Sequence, residues 1–213
     1  SVKRGNAHRL DDVAVGFRRG RVTALVGPSG AGKTTLLRCL NGLESQAQGQ
    51  VMLDGRDIGE IDPIALRRRV GLVFQLPMIL EGTVRDNVLY GTDGDLDVEG
   101  GLGKAGLDAT YLERQARSLS VGEAQRLAIA RALIRSPEVL LMDEATSALD
   151  QDSRRKIEEL VRSLVQTGLT LVVVTHDLAQ AERVADDAWL LVGGVAKAHG
   201  QPSDLHEMWE SHR

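Results

Sequence analysis

Residues Gly27-Pro28-Ser29-Gly30-Ala31-Gly32-Lys33-Thr34-Thr35 spell the pattern G-x-x-x-x-G-K-[ST], and no other stretch constrains the chain as strongly. The apolar run Val22-Thr23-Ala24-Leu25-Val26 before it predicts a buried strand. Residues 33–41 after it predict a helix, with Leu36, Leu37 and Leu40 on one face and Gly42 as its stop. Strand, glycine loop and helix are the context the pattern needs. The glycines let backbone N–H groups approach a phosphate, and the helix N-terminus adds its positive end. In such a loop the lysine, Lys33, reaches β- and γ-phosphates, and the hydroxyl of Thr34 is placed to hold Mg²⁺. A glycine-rich turn that binds nothing is the plain alternative, and the rest of the chain argues against it.

The chain has 213 residues, 42% hydrophobic and 26% charged, with a formal net charge of −4. That suits one globular domain with a large core, or a core with an inserted subdomain, and it argues against a nucleic-acid binder. The basic clusters at Arg18-Arg19 with Arg21, at 67–69 and at 154–156 are read as solvated surface. Cys39, the lone cysteine, cannot form an internal disulfide and is expected to pack as a small buried residue. No apolar run approaches the roughly 18 residues of a membrane span, and no secretory signal is recognised.

Before Leu10 no element is recognisable; Val13, Val15 and Phe17 alternate and predict a strand. A short strand over 51–53 ends at the Asp54-Gly55 turn, Pro63 opens a short helix through 68, and 70–74 form a buried strand that closes at Gln75. Thr83 caps a helix over 84–90. The glycine- and acid-rich stretch 91–103 predicts a solvated flexible loop. Its Asp93, Asp95 and Asp97 are spaced like a calcium loop, but Val98 and Lys104 stand where glycine and glutamate are required. Ser120 and Glu123 form a capping box that opens a helix to about 135. Strands over 138–142 and 169–174 flank a helix over 152–166 stopped by Gly168. A helix over 178–184 and a hairpin over 189–198 about Gly193-Gly194 complete the chain. Strands alternating with helices predict an α/β fold: a mostly parallel sheet covered on both faces, with an antiparallel edge. Residues 77–137 interrupt the alternation and are read as an inserted helical subdomain, with 1–76 and 138–213 as the catalytic core.

Asp143 and Glu144 end a strand in a chain that already has a phosphate loop. Mg²⁺ prefers oxygen ligands, so Asp143 with Thr34 is a suitable pair. Glu144 can accept a proton from an attacking water. His176 follows another strand, where a histidine is either structural or placed to hydrogen-bond a γ-phosphate. Leu119-Ser120-Val121-Gly122-Glu123, followed by Ala124-Gln125-Arg126, joins these features, as do Gln75 at a strand end and Ser147-Ala148-Leu149-Asp150. In this order they resemble the nucleotide-binding subunit of ATP-binding-cassette transporters, over most of the chain from about Leu10 to His206. The Leu-Ser-x-Gly-[Gln/Glu] stretch separates that family from other phosphate-loop NTPases.

The resemblance implies an ATPase that binds ATP and Mg²⁺ and powers transport through a separate integral membrane subunit. The chain would then sit in the cytoplasm, peripheral on the inner face of the membrane. It implies that Gln75 touches Mg²⁺ or its water and reports on the membrane partner. It implies that Ser120 and Gly122, with Glu123 beside them, meet the γ-phosphate of ATP bound to a second copy, giving an ATP-dependent head-to-tail homodimer with Asp150 at its seam. Two positions depart from the family. Val121 stands where glycine is usual and narrows the backbone angles. Arg4 stands where an aromatic residue usually stacks on adenine: either its guanidinium plane takes that place, or adenine is held loosely. A soluble ATPase of the same superfamily, or a nucleotide-binding regulator that does not hydrolyse, is the alternative.

Overall fold

The computed structural model describes residues 2–4, 7–45, 48–92 and 96–212, with the backbone alone for residues 2–4 and 7–9. Its elements are β1 (Val2–Arg4), β2 (Ala7–Leu10), β3 (Val22–Val26), α1 (Lys33–Leu40), β4 (Met52–Leu53), β5 (Arg56–Asp57), α2 (Pro63–Arg69) and β6 (Val70–Val73). Then come α3 (Val84–Leu89), α4 (Val98–Lys104), α5 (Val121–Leu133), β7 (Val139–Asp143), α6 (Gln151–Gln166), β8 (Thr170–Thr175) and α7 (Leu178–Val184). The chain closes with β9 (Asp187–Val192), β10 (Val195–Gly200) and α8 (His206–Glu210).

The apolar runs form one sheet in the order β10-β9-β3-β8-β7-β6. All its neighbours run parallel except β10, which folds back on β9. Residues facing opposite ways along a strand enter different cores, as the two-residue period requires. Leu171 and Val173 of β8 join α5 and α6 on one face. Val172 and Val174 join α1 on the other. Burial on both faces explains why β3 and β8 read as unbroken apolar runs. In register, Val26 pairs with Thr175, and Asp143 pairs with Val174. The C-terminal ends of β3, β7 and β8 therefore lie side by side, and the phosphate loop, Glu144 and His176 each leave from one of them.

Several expectations change. Val2–Arg4 and Ala7–Leu10 pair as an antiparallel ribbon, where no element was recognisable in the sequence. Val13, Val15 and Phe17 do not form a strand. All three are half-buried, with exposed residues between them; they pack against the core over α1, and Trp189 Nε1 donates to Gly16 O at 3.1 Å. Their alternation reflects a half-buried surface without a ladder. The stretch 91–103 is no continuous loop, because α4 begins at Val98, capped by Asp97, which accepts from Gly100 N at 2.8 Å. Val98 and Leu102, one turn apart, anchor it in the core beside α5, which outweighs its poor helix propensity. Asp93 and Asp95 lie outside the described residues. Helix α6 starts at Gln151, and Asp150 is its N-cap, accepting from Ser153 N at 2.9 Å.

Arg19, Arg21 and Arg69 of the basic clusters pair with acids on the surface. Arg69 bridges Glu138 at 2.6 Å and Asp54 at 2.7 Å. Cys39 is buried, and burial lifts its thiol to about 11, so it packs and does not react.

Candidate functional site

The phosphate loop closes tightly on the sheet. A Cβ at Gly27 would run into the carbonyl of Leu191, so no other residue fits there. Lys33 is the first residue of α1 and only 5% exposed. Its Nζ donates to Gly27 O at 2.7 Å and Pro28 O at 3.0 Å, and it stands 4.0 Å from Glu144 Oε1. Burial lowers the Lys33 pKa, partly opposed by Glu144 and Asp143. The next residue, Thr34, donates from Oγ1 to Asp143 Oδ1 at 2.9 Å. Two residues far apart in sequence thus bring hard oxygen donors together at the mouth of the loop. Burial raises the Asp143 carboxyl, with the Thr34 hydrogen bond acting against it. A desolvated carboxylate beside a hydroxyl suits a small divalent cation.

Glu144 follows in a left-handed backbone, φ 46°. For a residue with a side chain this costs of order 1–3 kcal/mol. Its Oε2 lies 3.2 Å from His176 Nδ1. Gln75 is exposed beyond β6, and its Nε2 donates to Ser147 Oγ at 3.0 Å. Lys33, Thr34, Asp143, Glu144 and His176 therefore form one connected cluster, and Gln75 reaches the turn that follows Glu144.

Ser120 and Glu123 lie apart from this cluster. Among the described residues, no hydrogen bond joins them to the phosphate loop. Ser120 caps α5 and accepts from Glu123 N at 3.3 Å, while its N–H and hydroxyl both donate to Glu123 Oε2 at 2.8 Å. Val121 occupies the first helical position, 53% exposed, and leaves the capping box intact. Gly122 packs against α6 so closely that a Cβ would meet Ser153 Oγ at 2.5 Å. Arg4's side chain lies outside the described residues.

Tyr111 is a partner that sequence reading missed. Its hydroxyl donates to Glu123 Oε1 at 2.6 Å. This bond, then those from Ser120, hold the Glu123 carboxyl at about 2, below its ordinary 4.5. A depressed carboxyl stabilises the fold fully above the unfolded value of 4.5, and that contribution is lost as pH falls toward about 2. We expect Tyr111→Phe to cost about 1 kcal/mol at neutral pH, as one hydrogen bond to a charged group on the surface does. Urea unfolding at neutral and at strongly acid pH checks this; an equal loss at both would count against the carboxylate as the acceptor.

The long-range contacts of Gln125 and Arg131 of α5 were also missed. Gln125 Nε2 donates to Phe74 O at 3.0 Å, and Arg131 Nη1 to Met78 O at 2.9 Å. They tie both flanks of Gln75 to the helix that Ser120 caps. Single polar residues inside a helix carry no sequence signal of such long-range bonds.

The comparisons agree with this geometry. The family model described as "ABC transporter" matches residues 10–147. Protein STAR1 of Oryza sativa subsp. japonica is 50% identical over 205 residues, covering 93% of this chain and 59% of STAR1. This chain thus spans a little under three fifths of that relative's length. The phosphate import ATP-binding protein PstB 3 of Natronomonas pharaonis is 40% identical over 229 aligned positions, covering all of this chain and 83% of its own. Among solved structures, the dimeric post-hydrolysis state of the ATP-binding cassette MJ0796 bound to ADP and Pi superposes with a TM-score of 0.81 at 29% identity, covering 94% of each chain. The phosphate loop, the paired Thr34 and Asp143, the Glu144–His176 contact and the capped Ser120 helix all lie within a chain that these relatives match nearly end to end, and the chain belongs to the ABC transporter family.

Proposed function

We propose that this chain is the ATP-binding, ATP-hydrolysing subunit of a membrane transporter, working by ATP-driven head-to-tail pairing of two copies. The observation that carries the reading is the Thr34–Asp143 hydrogen bond of 2.9 Å. It joins the loop that would hold phosphate to the strand end that would hold metal, with Glu144 next in line. Lys33, with residues 27–35, would bind the β- and γ-phosphates, and Arg4 would stack on adenine. Thr34 and Asp143 would hold Mg²⁺, with Gln75 touching the ion or its water. Bound there, Mg²⁺ supplies positive charge to the phosphates. Glu144 would take the proton of the attacking water, and His176 would orient Glu144 and meet the γ-phosphate. Residues 1–76 and 138–213 make up the proposed catalytic core, and 77–137 the proposed helical subdomain.

Ser120, Gly122 and Glu123 would complete the site of the opposite copy, with Asp150 at the seam. The relatives support this pairing, since the matched MJ0796 structure is a dimer. No helix among the described residues is long and apolar enough to cross a membrane. In this reading the partner is an integral membrane subunit. Leu76 and Met78, just after Gln75, and Tyr90, at the end of α3, are each more than 60% exposed. Large exposed apolar side chains beside Gln75 suit a docking face for that subunit. The working place is then the cytoplasmic face of a membrane.

A mixing experiment tests the pairing. Lys33→Ala destroys the loop half-site and Ser120→Arg the helix half-site, so each variant alone is expected to be inactive. In a mixture, the mixed dimer holds one site with both halves intact. Up to about a quarter of the parent ATPase rate is expected to return, from random pairing and one good site in two. A mixture as inactive as its components, at protein concentrations that saturate the parent, would reject the head-to-tail model.

A further inference from the structure

The left-handed backbone of Glu144 persists only if its surroundings fix it. Two bonds do so locally: Glu144 N donates to Val174 O at 3.2 Å, and its carbonyl accepts from Ser147 N at 3.0 Å. A third restraint comes from outside. Gln180 of α7 donates from Nε2 to Thr146 Oγ1 at 2.6 Å. The same nitrogen lies 3.3 Å from Glu158 Oε1 of α6. Glu158 is itself clamped by Arg183, whose Nε and Nη2 donate to its two carboxylate oxygens at 2.8 and 2.9 Å. Gln180 and Thr146 are buried, at 5% and 8% exposure. One carboxamide thus joins α6, α7 and the turn after Glu144. Helix α7 also starts directly after His176, so both partners of the Glu144–His176 contact are referenced to it.

We propose that Gln180 is a positioning residue for Glu144, acting through the Thr146 hydroxyl. The proposal rests on the role of Glu144 as the base given above. Without the carboxamide, a buried hydroxyl and a buried carboxylate oxygen each lose a donor, which strongly disfavours the present arrangement. The relief with least disruption is for the 145–149 turn to move outward, which lets Glu144 leave its left-handed backbone and swings its carboxylate away from His176. The phosphate loop is spared, because among the described residues no hydrogen bond links Gln180 or Thr146 to it. Loss of position therefore lowers kcat and leaves the KM for ATP in place.

The test is a double-mutant cycle on ATP hydrolysis by the purified chain, with KM and melting temperature recorded for each variant. Gln180→Leu is expected to lower kcat by about tenfold or more, as a displaced catalytic group does, with KM for ATP within about twofold. In the Glu144→Gln background the same change is expected to alter the residual rate by less than about twofold, since groups that act as a unit are not additive. Thr146→Val is expected to lose what Gln180→Leu loses, and Thr146→Ser to restore it. This nearly isosteric pair carries the test if Gln180→Leu does not fold. Equal effects of Gln180→Leu in both backgrounds, or a KM that rises in step with the loss, would overturn the positioning role. A slow Glu144→Gln beside a Gln180→Leu at the parent rate overturns it alone. A parent rate in Glu144→Gln overturns the base role, and this proposal with it.

Discussion

Glu144→Gln is expected to stop turnover by about 10²- to 10⁴-fold, the share a positioned base contributes, while ATP still binds and the chain accumulates as a dimer. A carboxamide has the shape of a carboxylate, so the turn, the Val174 contact through the backbone and the approach to His176 survive. The Thr34–Asp143 pair does not involve this side chain, so the proposed metal site is expected to survive too. What is lost is the proton acceptor. With hydrolysis blocked, ATP is expected to stay between the loop of one copy and the Ser120 helix of the other. Association of two chains costs several kcal/mol in lost freedom, and only the bound nucleotide offsets it. Light scattering on Glu144→Gln should then show the mass double when ATP is added and fall back when it is removed. The parent chain should show a rate that climbs faster than linearly with its own concentration until the dimer saturates. A monomer at saturating ATP and high protein concentration would sink the model.

Local chemistry is what the sequence made legible. The strand, loop and helix at 22–40 follow from an apolar run, glycines and a periodic face, all within one window. The capping box at Ser120 and the cap at Thr83 were equally readable, since each acts within the turn it opens. The site residues were legible through their order along the chain, but their mutual geometry was not. That Thr34 touches Asp143, and that Gln75 reaches Ser147, depends on strand order, which no periodicity encodes. Two errors share one physical origin. Helix α4 was missed because its glycines oppose a helix locally, whereas burial of Val98 and Leu102 decides the outcome. The 13–17 strand was expected because alternation was visible, whereas a strand needs a neighbour to complete its ladder. Glu144's left-handed turn and the Gln180 clamp belong to the same class: their causes lie in other elements.

Lys33→Met is expected to abolish nucleotide binding and yet leave the fold as stable as the parent or more so. The lysine is 5% exposed, and its ammonium is held by two backbone carbonyls with one carboxylate at 4.0 Å. Burial lowers its pKa from 10.5, so the folded chain holds this proton less tightly than the unfolded chain does. The sign follows: the charge opposes folding at neutral pH, and the penalty fades as pH rises through the folded value toward 10.5. Methionine keeps the length and apolar stem and removes the desolvated charge, although two carbonyls lose a donor. For ATP the balance reverses. Contacts from one ammonium to two phosphate groups are worth about 1.5 to 3 kcal/mol each. Losing both weakens affinity by at least about a hundredfold. Calorimetry with ATP and a thermal melt on the same sample read the two effects together. Affinity within a few-fold of the parent would remove the phosphate loop from the site. A fall in melting temperature of several degrees would show that Lys33 holds the loop together through Gly27 and Pro28 more than its burial strains it.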